Sequence, residues 1–367
     1  MSDVRAIIAA EARKRGVIPF ARFMELALYC PNFGYYERQG VSPGRAGDFY
    51  TSVSVGGVFG ELLAFRFAGW LAGMRAEPLQ LVEAGAHDGR LALDILRWFA
   101  AQRPELAERL EYWILEPSAI RRESQRTTLG EVAQRVRWFE SWNAVPSGGV
   151  NGIIFSNELL DAMPAHRLGW DAVKREWFEW GVSLEGDAFV WKRMAESAEL
   201  LGQAGVANLP GALLDVLPDG FTIEVSVAAL TWWSRAAGAL KSGKLLTFDY
   251  GLEADEFLTP QRKDGTLRAY HRHHQNGDLL GQPGEKDITA HVNFTAAREA
   301  GESGGLTTDA FQSQSQFLSQ VLADIEADKG SAFGAWTLER TRQFQTLVHP
   351  EHLGSAFRVL VQSRSGS

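Results

Sequence analysis

Four short runs, 79–85 (LQLVEAG), 112–117 (YWILEP), 136–141 (VRWFES) and 152–157 (GIIFSN), are apolar almost without a break. Each ends in acidic, small or polar residues. Strands covered on both faces carry this pattern, so the four runs predict a buried parallel sheet. Between the first two, RLALDILRWFAAQ places Leu91, Ile95, Trp98 and Phe99 at helical intervals. The repeated order strand, helix, strand predicts an open, doubly wound α/β sheet. Two later runs, 221–226 (FTIEVS) and 244–251 (KLLTFDYG), read as further strands, with a helix between them that ends at a glycine. FRVLVQSR at 357–364 suits a closing strand.

The flanks carry other periods. Val4, Ile7 and Ile8 share a helical face behind a Ser2 cap, and a second helix starts at Pro19 with Phe20, Phe23, Met24, Ala27 and Leu28 on one side. The apolar stretch from Val58 to Met74 contains Glu61 and Arg66 and is too short and too charged to span a bilayer, so a buried helix is expected. Residues 165–195 alternate aromatic and polar positions around Gly186-Asp187, which predicts an inserted β-hairpin. Residues 252–309, rich in His, Gly, Asp and Thr, read mainly as loop. No internal repeat is visible.

Composition changes this picture little. With 367 residues the chain exceeds what one compact core needs, so insertions or a smaller partner domain are expected. Its 45% hydrophobic and 22% charged residues exclude disorder. A formal net charge of -8 and the lack of a long basic run argue against nucleic acid as a partner. Cys30 is the only cysteine, which excludes an internal disulfide, and the first residues lack the basic-then-apolar order of a signal peptide. A cytoplasmic protein without membrane insertion is the resulting expectation.

The sharpest local chemistry is Glu83-Ala84-Gly85-Ala86-His87-Asp88-Gly89, a strand end leading into a helix. Absent side chains at Gly85 and Gly89 let backbone approach a nucleoside. Glu116, at the end of the next strand, is placed to accept ribose hydroxyls. NAD and S-adenosylmethionine (SAM) both fit such a site. The dinucleotide fingerprint needs Gly-x-Gly-x-x-Gly for a pyrophosphate, and here Ala86 or His87 stands at its second glycine. SAM has no phosphate and is preferred, and no hydride-transfer constellation supports an oxidoreductase.

Asn157-Glu158-Leu159-Leu160-Asp161 closes the fourth strand, at the edge that faces the reacting centre in such sheets. If a guanidinium accepts the methyl group, carboxylates must hold it and bias its charge; Glu158 and Glu224, both at predicted strand ends, are the candidates. The alternative is that Glu158 and Asp161 cap a following helix. His271, His273 and His274, with His291, crowd together without supporting cysteines or carboxylates, so no metal is expected. The Trp-rich hairpin is either cross-strand packing or an aromatic groove for a peptide.

Several separated segments together resemble the MidA-like family of SAM-dependent methyltransferases. They include MELALYCPNFGYY (24–36), GDFYTS (47–52), LVEAGAHDGRLALDILR (81–97), LEPS (115–118), NELLDAMP (157–164), LTFDYG (246–251) and DITAHVNF (287–294). The resemblance implies a Rossmann-like class I methyltransferase core with helical and β additions. It also implies a protein acceptor, because mitochondrial members methylate an arginine during assembly of respiratory complex I. Glu83, Gly85, His87 and Gly89 would form the SAM loop, Glu116 would take the ribose, and Gly47, Asp48, Thr51 and Ser52 would fold over the cofactor. Asn157 and Glu158 would lie beside the methyl group; Asp161 and Glu224, read from the sequence itself, join Glu158 as the catalytic candidates.

The layout expected from this is an N-terminal helical segment with a covering loop at 1–75, core at 76–164 and 216–252, a hairpin insertion at 165–215, a loop-rich substrate-side insertion at 253–335, and a C-terminal helix and strand at 336–367. Two departures fall in the expected site. His87 replaces the middle glycine of the family's loop, and Val53 and Ser54 stand where Pro and Glu are usual. A binding protein with a degraded SAM site, acting only in assembly, is the competing expectation.

Overall fold

In the computed structural model, residues 4–38, 51–195, 198–271, 274–328 and 333–366 are described. The chain forms two compact units. One consists of Ser42–Leu159, Trp233–Tyr250 and Gly301–Ser367, the other of Met1–Val41, Leu160–Trp232 and Gly251–Ala300.

The first unit is built on the strands β1 (Leu79–Ala84), β2 (Leu110–Leu115), β3 (Val136–Phe139), β4 (Val150–Asn157), β5 (Leu240–Leu252), β6 (Thr307–Ser313) and β7 (Phe357–Arg364). Their spatial order is β6-β7-β5-β4-β1-β2-β3. β3, β2, β1, β4 and β5 pair in parallel, while β7 runs antiparallel to β5 and β6 antiparallel to β7. The winding therefore reverses between β1 and β4, where doubly wound sheets open a crevice outside their carboxyl ends.

All six residues of β1 are buried, which explains its largely apolar run. Helix Arg90–Gln102 buries Leu91, Ile95, Trp98 and Phe99 on one side, in the same core cluster as Phe59, Leu63 and Phe67 of helix Val58–Leu71. Each such side chain contributes about 1.5–3 kcal/mol when fully removed from water.

In the second unit, strand Glu176–Glu185 pairs antiparallel with Ile18–Pro19, His166–Asp171 and Ala188–Met194, so the expected hairpin forms, with Gly186 in its turn at φ 59°. Two expectations need correction. The run at 221–226 does form a strand, Thr222–Val225, but it pairs with His166–Asp171 and not with the parallel sheet. An apolar run states that a strand is covered, not which sheet covers it. Residues 252–309 are also more ordered than a loop: Arg268–His271 pairs with His274–Asn276 and Asp287–Thr289, and helix Phe294–Ser303 precedes β6. Strands of three or four residues are too short to display a period. Among the described residues no helix is long and apolar enough to cross a membrane.

Candidate functional site

Register aligns three of the expected residues. Ala84 is paired with Leu115 on one side and Ser156 on the other, so Gly85, Glu116 and Asn157 come next in a row across the carboxyl ends of β1, β2 and β4. The backbone continues this row. Gly85 N donates to Leu115 O at 3.3 Å, Glu116 N to Phe139 O at 2.9 Å, and Glu158 N to Phe248 O at 2.9 Å. A strand-end position fixed on both sides by neighbours holds its side chain at the crevice with little freedom.

The loop after β1 needs glycine at two points. Gly85 has φ 70° and a Cβ there would lie 2.8 Å from Leu159 Cδ1; Gly89 has φ 87° and a Cβ would meet the Gln125 backbone at 3.2 Å. His87 also takes a left-handed conformation, φ 47°, which costs a β-carbon-bearing residue about 1–2 kcal/mol. Burial, and secondarily the Arg121 charge, hold its imidazole well below the usual histidine range, so the ring is neutral. Its Nδ1 is buried and has no hydrogen-bond partner within the protein.

Gln125, fully buried on helix Ala119–Leu129, ties this loop to the next strand. Its Nε2 donates to His87 O at 3.1 Å and to Glu116 Oε2 at 3.2 Å, and its Oε1 accepts from Trp138 Nε1 at 2.9 Å. Glu116 Oε1 accepts from Ser118 N at 3.0 Å. Each Glu116 oxygen thus accepts one of these bonds. Glu83 differs from expectation. Its carboxyl lies inside the sheet and accepts from Tyr112 Oη at 2.5 Å, and burial pushes it up to about 8, partly offset by that bond. It anchors the loop from within the core.

At the end of β4, Asn157 Nδ2 donates to Glu158 Oε1 at 2.9 Å, while Asn157 Oδ1 is buried without a partner in the protein. Glu158 has φ 52°, a strained position of the kind found at functional sites. The turn is secured by Asp249, fully buried near the end of β5, whose Oδ2 accepts from Leu159 N at 3.2 Å. Asp249 was not among the expected residues. Its signal is a single acidic residue ending an apolar run, as at Glu116. No helix follows this turn, so the capping alternative for Glu158 and Asp161 is set aside; the chain enters strand His166–Asp171 instead. Asp161 belongs to the second unit, where it is buried and its carbonyl accepts from Ala290 N at 2.9 Å.

The covering loop is seen only in part, because Gly47 and Asp48 lie outside the described residues. Thr51 caps helix Ser52–Val55 in a reciprocal box with Ser54. Ser54 therefore supplies the N3 partner that a glutamate usually provides, so the altered motif still starts its helix. Ser52 departs from its expected role: its hydroxyl is fully buried and bonds Gln314 Oε1 at 3.0 Å, which makes it a packing residue. Glu224 is also not at the parallel sheet's edge, for it lies within Thr222–Val225 in the second unit. There its Oε2 accepts from Thr266 N at 2.7 Å and Thr266 Oγ1 at 2.9 Å. His273 lies outside the described residues, and so do the side chains of His271 and His274.

Comparison with known proteins bears on this geometry. Residues 62–312 match the family described as "Putative S-adenosyl-L-methionine-dependent methyltransferase". Protein arginine methyltransferase NDUFAF7, mitochondrial, from Mus musculus is 28% identical over 376 residues, spanning 94% of this chain and 80% of that protein. The NDUFAF7 homolog of Drosophila melanogaster is 26% identical over 379 residues, spanning 96% and 83%. The crystal structure of a COG1565 superfamily member from Burkholderia thailandensis bound to S-adenosyl-homocysteine superposes with a TM-score of 0.80 at 31% identity, covering 98% of this chain and 92% of that one. The names of the curated relatives overturn the cytoplasmic expectation, since those proteins are mitochondrial. A single cysteine excludes an internal disulfide but does not distinguish one reducing compartment from another.

Proposed function

Because the chain belongs to the family of S-adenosyl-L-methionine-dependent methyltransferases, we propose that its acceptor is a protein and that the methylated atom is an arginine nitrogen. The enzyme activity and the SAM cofactor follow from the family. The relatives named as protein arginine methyltransferases support the acceptor.

One observation carries the assignment of residues: the row Gly85, Glu116, Asn157 lies at the reversal of the sheet, with two buried polar atoms, His87 Nδ1 and Asn157 Oδ1, left unpaired beside it. Buried polar atoms without partners are costly, and a polar ligand would satisfy them. The donor set fits an adenosyl group. Glu116 stands just past the carboxyl end of β2, where a ribose would be held, and Gly85 and Gly89 keep the loop bare for close approach. Glu83 serves this site as the buried anchor of the loop, and Thr51 as the start of the covering helix.

Bound SAM supplies an electrophilic methyl group on a sulfonium sulfur. Glu158, fixed in a left-handed turn by Asp249 and Phe248, presents a carboxylate where an acceptor guanidinium would be oriented and its charge drawn away from the attacking nitrogen. A binding protein with a degraded SAM site is favoured by one feature alone, the imidazole of His87 in a loop built for glycine.

The test is titration calorimetry with SAM, followed by incubation with labelled SAM and lysate and analysis of the labelled polypeptide for methylarginine. Binding with labelled arginine supports the proposal. Absence of heat would favour the binding-protein reading, and label on another side chain would overturn the acceptor.

A further inference from the structure

We infer that Asp249 is a positioning residue for methyl transfer, one that acts through Glu158 and needs both oxygens of its carboxyl group to do so. The inference rests on the proposal that Glu158 orients the acceptor, and it names the residue that sets Glu158 in place.

Strand register brings the two acids together. β4 and β5 run parallel with Ser156 opposite Thr247 and Asn157 opposite Phe248, so Glu158 and Asp249 are the next positions along the two chains. A buried bond from Ser156 Oγ to Thr247 Oγ1, 2.8 Å long, fixes that register just before the turn. The peptide groups on either side of Glu158 are then both tied to β5. Glu158 N donates to Phe248 O at 2.9 Å, and Leu159 N to Asp249 Oδ2 at 3.2 Å. Between these ties Glu158 takes φ 52°. A left-handed conformation is unfavourable for a residue with a β-carbon and persists only where its surroundings hold it. With the second tie cut, the turn can relax to negative φ, which re-aims the Glu158 side chain. The hydroxyl pair and the first tie keep the strands themselves in place.

An acid is needed at this position because both oxygens are used. Asp249 is fully buried, and while its Oδ2 holds Leu159 N, its Oδ1 accepts from Tyr250 N at 2.9 Å. Asparagine has a single acceptor oxygen, so its NH2 would meet one of these two N-H groups, donor against donor. Tyr250 is held by its pairing with Phe357 of β7 and by contact between the two rings, whose centroids are 4.1 Å apart. The turn at Glu158 is the less constrained side, and it yields.

The test is a double-mutant cycle between Asp249→Asn and Glu158→Gln in the full chain, read as the initial rate of methylarginine formation from lysate as labelled SAM is varied. Asp249→Asn alone should lower the maximum rate about tenfold or more while KM for SAM stays within about threefold. Added to Glu158→Gln it should cost less than about a further twofold, because the group it positions is already gone. Losses that multiply in full, or a parallel loss of SAM affinity, would make Asp249 a packing residue and overturn the inference. Hydrogen exchange at the Leu159 amide reports the tie without turnover: it should be slow in the unaltered chain and at least about tenfold faster in Asp249→Asn. Equal rates in the two overturn the inference, and so does fast exchange in the unaltered chain, a result that holds even if the variant does not fold. A protected Leu159 amide without any methylarginine defeats the acceptor reading alone.

Discussion

Glu116 and Glu158 stand one residue beyond their strands, whereas Glu224 lies within Thr222–Val225 and is enclosed. A residue past a strand end is released from the pleat, so Glu158 can turn left-handed. A carboxylate inside a strand is instead locked by its neighbours, here by Thr266 and Arg167. The first arrangement presents groups across an open edge, and the second encloses its carboxylate within the fold.

The hardest blow to the edge is Gly85→Arg, which adds a side chain at φ 70° and 2.8 Å from Leu159. SAM affinity should fall at least about a hundredfold, ~2.8 kcal/mol, in calorimetry; unchanged affinity would remove the row from the site. Glu158→Gln should lower methylation about a hundredfold while SAM affinity stays within about threefold. An equal loss of both would make Glu158 a structural residue only.

Glu83 sharpens the contrast through pH. Its folded pKa, about 8, lies above the unfolded value of 4.5. The native state therefore holds a proton that the unfolded chain releases, and this stabilisation is full below about 4.5 and lost as pH rises through about 8, on the order of a few kcal/mol. Glu83→Gln should flatten the dependence of the urea midpoint on pH across that window. The smallest effect is expected at His87→Gly, which relieves about 1–2 kcal/mol of backbone strain and should tighten SAM binding if the ring obstructs the loop. Weaker binding would make the imidazole a cofactor contact.

Much of the edge was legible in the sequence because buried parallel strands write themselves as continuous apolar runs, and the residue that ends each run is already at the crevice. That is why Glu116, Asn157 and Glu158 could be placed at the strand ends from the sequence. The same pattern misled at 221–226, because a covered antiparallel strand reads no differently. Ser52 was misjudged for another reason: a hydroxyl beside an expected site can be spent on packing, as its bond to Gln314 shows. Gln125, Arg167 and Thr266 left no signal, since their importance lies in contacts between elements distant in sequence.

Gln125 uses every polar atom of its amide, and the indole of Trp138 dictates which end points where. The amide cannot rotate without stranding a donor against a donor, so the tip of the loop at His87 and the carboxylate at Glu116 behave as one mechanical part. Nudging either displaces both, and a nucleoside gripping the acid would be felt in the backbone at the tip of the loop.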